Sequence, residues 1–254
     1  VVRMLKKRHN GDEIGLVFLY GAGLRSEVWS DVTERLDHPC LAVDYPYRDA
    51  GGASAKGRNL SVDDYVLHAR SQIEAWGVKQ FVLVVHSLGG VVGLKLAKAM
   101  PERIVGFAAL GAVIPEAGGS FLSVMPPVKR LVMSAVLRLM GTKPPKAAIR
   151  QVLCGDLTAE EADAVTAGFV AESARVYTDR TNAAVPEMPK LYMLLEQDRE
   201  LDQSMQERMA RHLAAHRQVS IRAGHLAMIS RPNEVAQALA AFVAEDVLAG
   251  SCLQ

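Results

Sequence analysis

Five short apolar runs and one shorter alternating run, separated by helical stretches, constrain this chain more than any other feature. IGLVFLYG (Ile14 to Gly21), CLAVDYP (Cys40 to Pro46), FVLVV (Phe81 to Val85) and IVGFAALGAV (Ile104 to Val113) follow one another in the first half, and LYMLLEQD (Leu191 to Asp198) and QVSIR (Gln218 to Arg222) come later. Continuous apolar runs of this length suit strands covered on both faces. The intervening segments read as helices. One contains Val28, Trp29, Val32 and Leu36; the next starts at Ser61, with Asp63 and Asp64 in its first turn, and runs to about Trp76 and Gly77. A third spans Leu88 to Met100 and stops at Pro101, a fourth spans Asp202 to about His216, and the last runs to about Leu248. Strand alternating with helix predicts an α/β fold with a mainly parallel sheet, right-handed crossovers and helices on both faces. Between Pro115 and Pro186 the pattern becomes purely helical, with Met125, Met133, Leu137, Leu139 and Met140 at apolar positions. That stretch reads as an inserted helical cap over residues 115–186, on a core made of 1–114 and 187–254.

Composition narrows the function. Half of the 254 residues are apolar, and 29 basic against 28 acidic residues leave a net charge of +1, so a large core is available and the chain is no polyelectrolyte. The one tight basic cluster, Lys6, Lys7 and Arg8, reads as a solvated face, and no nucleic-acid partner is expected. Cys40, Cys154 and Cys252 are odd in number and widely spaced, which argues against a disulfide framework or a zinc ribbon and for a reducing compartment. Asp12 and Glu13 interrupt the basic approach to LVFLYGAGL, which is too short for a signal peptide, and no run reaches membrane-spanning length. The expectation is a soluble cytoplasmic protein with no membrane span, no metal and no cofactor, and a homodimer is compatible with it.

The chemistry lies where FVLVV runs into HSLGG. A strand followed by x-Ser-x-Gly-Gly and a helix is the pattern of a nucleophile elbow, a tight turn that lifts the Ser87 hydroxyl clear of the sheet. Such turns want small residues two before and two after the serine. Gly89 meets the second demand, but Val85 stands where glycine is expected and is predicted to crowd the helix. Serine needs a base and the base an orienting carboxylate, in this fold in the order serine, acid, histidine. Asp198, just past LYMLLEQ, and His225, in the turn after QVSIR, fill those places; Glu196 reads as strand end and Asp202 as a helix cap. His86 is expected to point away from the hydroxyl. His212 and His216 stand one helical turn apart but lack the glutamate of a zinc-protease motif, and read as an exposed pair.

Taken together, LVVHSLGG, LGAVIP, LLEQDRELDQSMQERM and GHLAMISRP make the chain resemble the α/β-hydrolase superfamily over nearly its whole length. Within it, the resemblance is to the branch of plant methylesterases, hydroxynitrile lyases and bacterial carboxylesterases. It implies Ser87 as nucleophile, His225 as general base and acid, and Asp198 as the group that fixes the histidine tautomer. The implied oxyanion hole is made by the backbone N–H groups of Ala22 and Leu88. The family's usual His-Gly pair before Ala22 is replaced by Tyr20-Gly21, and YPYRDAGG stands in place of a leucine-proline-glycine-histidine-glycine run. The loop is therefore expected to lose the histidine's supporting hydrogen bonds. Lyases of the branch tend to carry lysine after the catalytic histidine, whereas this chain has Leu226, so the resemblance favours ester hydrolysis. The expected substrate is a small to medium, largely apolar ester in a pocket with Met125, Met133, Leu137 and Leu226 on its wall.

Two rivals stand beside this reading. Folds host many functions, so a lyase, a cyclase or a ligand-binding protein on the same fold is one. The other is a dinucleotide-binding oxidoreductase, with Gly21-Ala22-Gly23 opening a helix and Asp44 as the ribose-binding acid, although Ser26 replaces the third glycine.

Overall fold

The computed structural model describes residues 13–47 and 59–249; Lys6, Lys7, Arg8, Gly51, Gly52, Gly57 and Cys252 lie outside them. The chain begins with β1 (Gly15–Leu19), a 3-10 turn (Ser26–Trp29) leading into α1 (Ser30–Thr33), and β2 (Cys40–Ala42). There follow α2 (Val62–Trp76), β3 (Phe81–His86), α3 (Gly89–Ala99) and β4 (Ile104–Leu110). A 3-10 turn (Leu122–Val124) and four helices come next: α4 (Pro127–Leu139), α5 (Lys146–Leu153), α6 (Ala159–Gly168) and α7 (Arg175–Thr178). The rest is β5 (Lys190–Leu195), α8 (Gln203–His212), β6 (Arg217–Ile221), α9 (Ala227–Ser230), α10 (Pro232–Phe242) and a π-helical turn (Val243–Leu248).

The six strands form one sheet in the order β2-β1-β3-β4-β5-β6, and every neighbouring pair is parallel. Both faces are covered over the central strands. Gly106 packs against Phe242 and Val247, whereas the next residue, Phe107, approaches Gly93. Successive strand residues point to opposite faces, so α3 covers one side and α10 the other. Burial on both sides explains why β1 and β3 are apolar and buried along their length, apart from the polar His86 that ends β3.

Most boundaries follow local chemistry. Ser61 and Asp64 form a reciprocal capping box at the start of α2, and Gly77, with φ of 83°, ends it. β2 stops at Ala42, short of the expected Pro46, because the main chain of Asp44 bonds to the Gln72 side chain instead of to a strand. α8 ends at His212 and not at His216, since Ala214 turns left-handed with φ of 51°.

The crowding expected from Val85 is relieved from the helix side. A Cβ added to Gly93 on α3 would lie 2.5 Å from Val85 Cγ1, so the space that glycine normally leaves in the strand is left by the helix here. Gly93→Ala should gain about 1 kcal/mol in helix propensity and lose more to overpacking, for a net destabilisation of about 1–2 kcal/mol. Pairing it with Val85→Ala should recover most of that. Urea unfolding of the four proteins of the cycle checks this, and simple additivity would refute the complementarity.

Candidate active site

Ser87 sits between the end of β3 and the start of α3 with φ of 50°, a strained conformation for a residue with a side chain. The surroundings hold it there. Its carbonyl accepts from Gly90 N at 3.0 Å and from Val113 N at 2.9 Å. A Cβ on Gly89 would come within 3.0 Å of the Leu19 and Tyr20 carbonyls, and one on Gly21 within 2.8 Å of Ser87 Cβ. The end of β1 and the turn at the serine thus approach each other closely enough to favour glycine at both Gly21 and Gly89.

His225 and Asp198 meet from the ends of β6 and β5. His225 Nδ1 lies 2.7 Å from Asp198 Oδ2, while Asp198 Oδ1 accepts from Glu200 N at 2.8 Å and Leu201 N at 3.0 Å. Burial pushes the Asp198 carboxyl up, but the His225 charge and hydrogen bond, with the two backbone N–H groups, outweigh it and bring the net shift below the ordinary value. Burial likewise pulls the His225 imidazole down, and the Asp198 charge and hydrogen bond overcome this and raise it. The carboxylate fixes the proton on Nδ1, which leaves Nε2 as the basic nitrogen. Of Glu196, Asp198 and Asp202, only Asp198 is hydrogen-bonded to the histidine. Glu196 is exposed, and Asp202 caps α8 by accepting from Met205 N at 2.9 Å.

The histidine turn is clamped on both sides. The Asp156 Oδ2 atom, between α5 and α6, accepts from Gly224 N and from Ser230 Oγ, each at 2.7 Å. His86 Nε2 donates to the His225 carbonyl at 2.9 Å. Burial, with the neighbouring His225, holds the His86 imidazole well below its ordinary range, and facing a carbonyl its Nε2 serves as the donor. Its one sequence signal is a polar residue closing an otherwise apolar strand.

The loop after β1 brings Ala22 beside the elbow. Neither the Ala22 nor the Leu88 N–H bonds to another described residue. The support expected to be lost with the family's histidine is supplied differently. Tyr20 Oη accepts from Tyr45 N at 2.7 Å, and Tyr45 Oη donates to the Tyr20 carbonyl at 3.0 Å. Next to Ala22, the helical insertion grips Gly23: its N–H donates to Glu172 Oε1 at 2.9 Å and its carbonyl accepts from Val170 N at 2.9 Å. Tyr65 Oη donates to the other Glu172 oxygen at 2.6 Å. No local sequence signal marks Glu172, which lies 149 residues from Gly23 in the chain.

Other expected residues are placed as follows. Met125 and Leu226 are buried, and Met133 and Leu137 pack half-buried against the core. None of the four lines the cavity of about 380 Å³ bordered by Asp156, Gln197, Arg199 and Gly224 behind the histidine turn. His212 Nδ1 faces the Ile114 carbonyl at 2.9 Å, whereas His216 lies 3.1 Å from Asp246, so the pair has separate partners. The dinucleotide reading finds no room. The Phe169 ring lies where a Gly23 Cβ would be, the Gly23 N–H is taken, and Asp44 Oδ1 accepts from Ser26 N at 3.3 Å. Among the described residues, no helix is long and apolar enough to cross a membrane.

The model of the alpha/beta hydrolase family matches residues 16–238, and the chain belongs to that family. Solved structures share its fold. An extracellular α/β-hydrolase from a Paenibacillus species, described as homologous in structure and function to tobacco salicylic acid binding protein 2, superposes with a TM-score of 0.80 at 19% identity, over 92% of this chain and 99% of that one. A pyrethroid hydrolase from Sphingobium faniae gives 0.77 at 22% identity, over 91% and 98%. A methylesterase from Arabidopsis gives 0.72 at 18%, over 91% and 99%.

Proposed function

We propose that this protein is a serine hydrolase that cleaves small to medium, largely apolar carboxylic esters through an acyl-enzyme. The observation that carries the reading is the 2.7 Å bond from His225 to buried Asp198, with the His225 carbonyl held at 2.9 Å by His86, the residue just before the strained Ser87. His225 Nε2 takes the Ser87 proton as the hydroxyl attacks the ester carbonyl. The Ala22 and Leu88 N–H groups, which have no other partner among the described residues, receive the charge that develops on the carbonyl oxygen. Protonated His225 then hands its proton to the leaving alcohol, and water repeats the sequence to free the acid. The names of the structural neighbours, a pyrethroid hydrolase and a methylesterase among them, favour hydrolysis over a lyase or a ligand-binding role. Leu226, apolar and buried beside His225, offers a leaving group no charge and supports an apolar ester. In this reading the helical insertion is the cap, with Met125, Met133 and Leu137 lining the substrate's acyl or alcohol part.

The test combines labelling with turnover. A fluorophosphonate probe should form one adduct, located on Ser87 by peptide mass spectrometry, and p-nitrophenyl acetate, butyrate and octanoate should all be hydrolysed. An unlabelled serine and no turnover of any ester would end the proposal.

Glu172 enters as a positioning residue, acting through Gly23 on the Ala22 N–H. Removing an oxyanion donor outright costs about a hundred to a thousandfold in rate. Loosening it should cost less, so Glu172→Ala is expected to lower kcat by roughly 10- to 100-fold with KM nearly unchanged. Glu172→Gln keeps an acceptor for Gly23 and should retain most of the rate. A rise in KM at constant kcat would instead assign Glu172 to substrate binding.

A further inference from the structure

The helical insertion carries an apolar face that nothing in the described structure covers. α4 spans Pro127–Leu139 and has no buried residue. Of the nine large apolar side chains exposed among the described residues, six belong to this helix and its cap: Val128, Leu131, Val132, Val136, Leu139 and Met140. Four of them are more than 60% exposed, with Leu139 at 85% and Val128 at 76%. Val128, Leu131, Val132, Val136 and Leu139 recur at helical spacing and form one stripe. Met133 and Leu137, on the opposite side, pack against the core, and Lys129 Nζ donates to the Glu200 carbonyl at 2.8 Å, so the helix is held with this stripe outward. A contiguous patch of this kind marks an interaction surface.

Charge identifies what it meets. From residue 117 to residue 155 there is no Asp or Glu, while Lys129, Arg130, Arg138, Lys143, Lys146 and Arg150 all fall within that stretch. Arg138 flanks the stripe, and Lys143 and Lys146 follow the helix; all three are exposed. An aliphatic stripe bordered by cations is complementary to a surface that is apolar inside and anionic outside. A second copy of the chain fits poorly, because a two-fold contact on this face sets like charges beside like charges. Residues 1–12 offer no acidic complement, with Arg3, Lys6, Lys7 and Arg8 against Asp12 alone. Nor does the stripe hold an aromatic anchor of the kind that concentrates energy in protein interfaces.

We infer that α4 is a docking face for an anionic phospholipid surface, on which the protein lies with the helix axis in the interfacial plane. The inference is independent of the proposed chemistry, because binding is read without turnover. The full chain is sedimented with vesicles of phosphatidylcholine alone and of phosphatidylcholine mixed with phosphatidylglycerol. Binding to the anionic vesicles is expected, with a much weaker association to the neutral ones. Leu131→Ser with Leu139→Ser should weaken it at least tenfold, and Arg138→Gln should weaken it roughly fivefold, as one surface cation is worth about 1 kcal/mol near an anionic leaflet. Unchanged thermal melting of each variant shows that its fold is intact. No binding to anionic vesicles, or binding that survives the two leucine substitutions, overturns the inference. A concentration-dependent dimer in size-exclusion chromatography with light scattering, lost on the leucine substitutions, overturns it in favour of a second copy.

Discussion

Ser87→Ala should lower kcat for p-nitrophenyl butyrate roughly a millionfold and leave urea stability nearly unchanged or slightly increased. The size follows from the proposed mechanism. Without the hydroxyl no acyl-enzyme forms, and the oxyanion N–H groups with the bound geometry supply only a residual acceleration over water. The sign of the stability effect follows from the backbone. Strain at φ of 50° is set by the turn and persists in alanine, and the carbonyl bonds to Gly90 and Val113 do not involve the side chain. Steady-state kinetics with equilibrium unfolding checks both halves. Retained turnover in Ser87→Ala would mean that another residue attacks the ester, and fluorophosphonate labelling would then move with it.

Asp198→Asn should cost about ten thousandfold in kcat and also shift the pH profile. His225 works as a base only when neutral. In the native protein the Asp198 carboxylate outweighs burial and raises the imidazole above the ordinary histidine range, so activity falls as the pH drops through that raised value. Asparagine removes the charge and leaves burial unopposed. The imidazole then falls below its native value, and the acid limb of the residual activity moves to lower pH. The amide can also hold the wrong tautomer, which is why the rate drops although the ring stays in place. Glu196→Ala and Asp202→Ala should show neither effect, since Glu196 is exposed and Asp202 is spent on the α8 N-terminus. A rate loss in Glu196→Ala without one in Asp198→Asn would reverse the assignment of the acid.

The two departures from the family pattern bear on how active this site is. Both are compensated in place. Val85 is matched by Gly93, and Tyr20 is paired with Tyr45, and these contacts hold the loop and the helix that carry the Ala22 and Leu88 N–H groups. Under the proposed function, neither departure is expected to slow the site by misplacing a donor.

What the sequence by itself determined is the part written in local pattern. Apolar runs with no polar alternation specified strands covered on both faces, and the Ser61–Asp64 box and Gly77 specified the ends of α2. The order of Ser87, Asp198 and His225 along the chain was legible because each stands in a turn directly after a strand, where a parallel sheet collects its loop residues at one edge. Tertiary structure decided everything that depends on long-range closeness. Asp198 was preferred to Glu196 and Asp202 from its place just past the strand, but its contact with His225 exists only through the β5–β6 pairing. His86 gained its partner, Glu172 its grip on Gly23 and Asp156 its hold on Gly224 through contacts 139, 149 and 68 residues apart in the chain. A hydrogen bond reads distance and angle in space, and no spacing rule within one strand or helix carries that information.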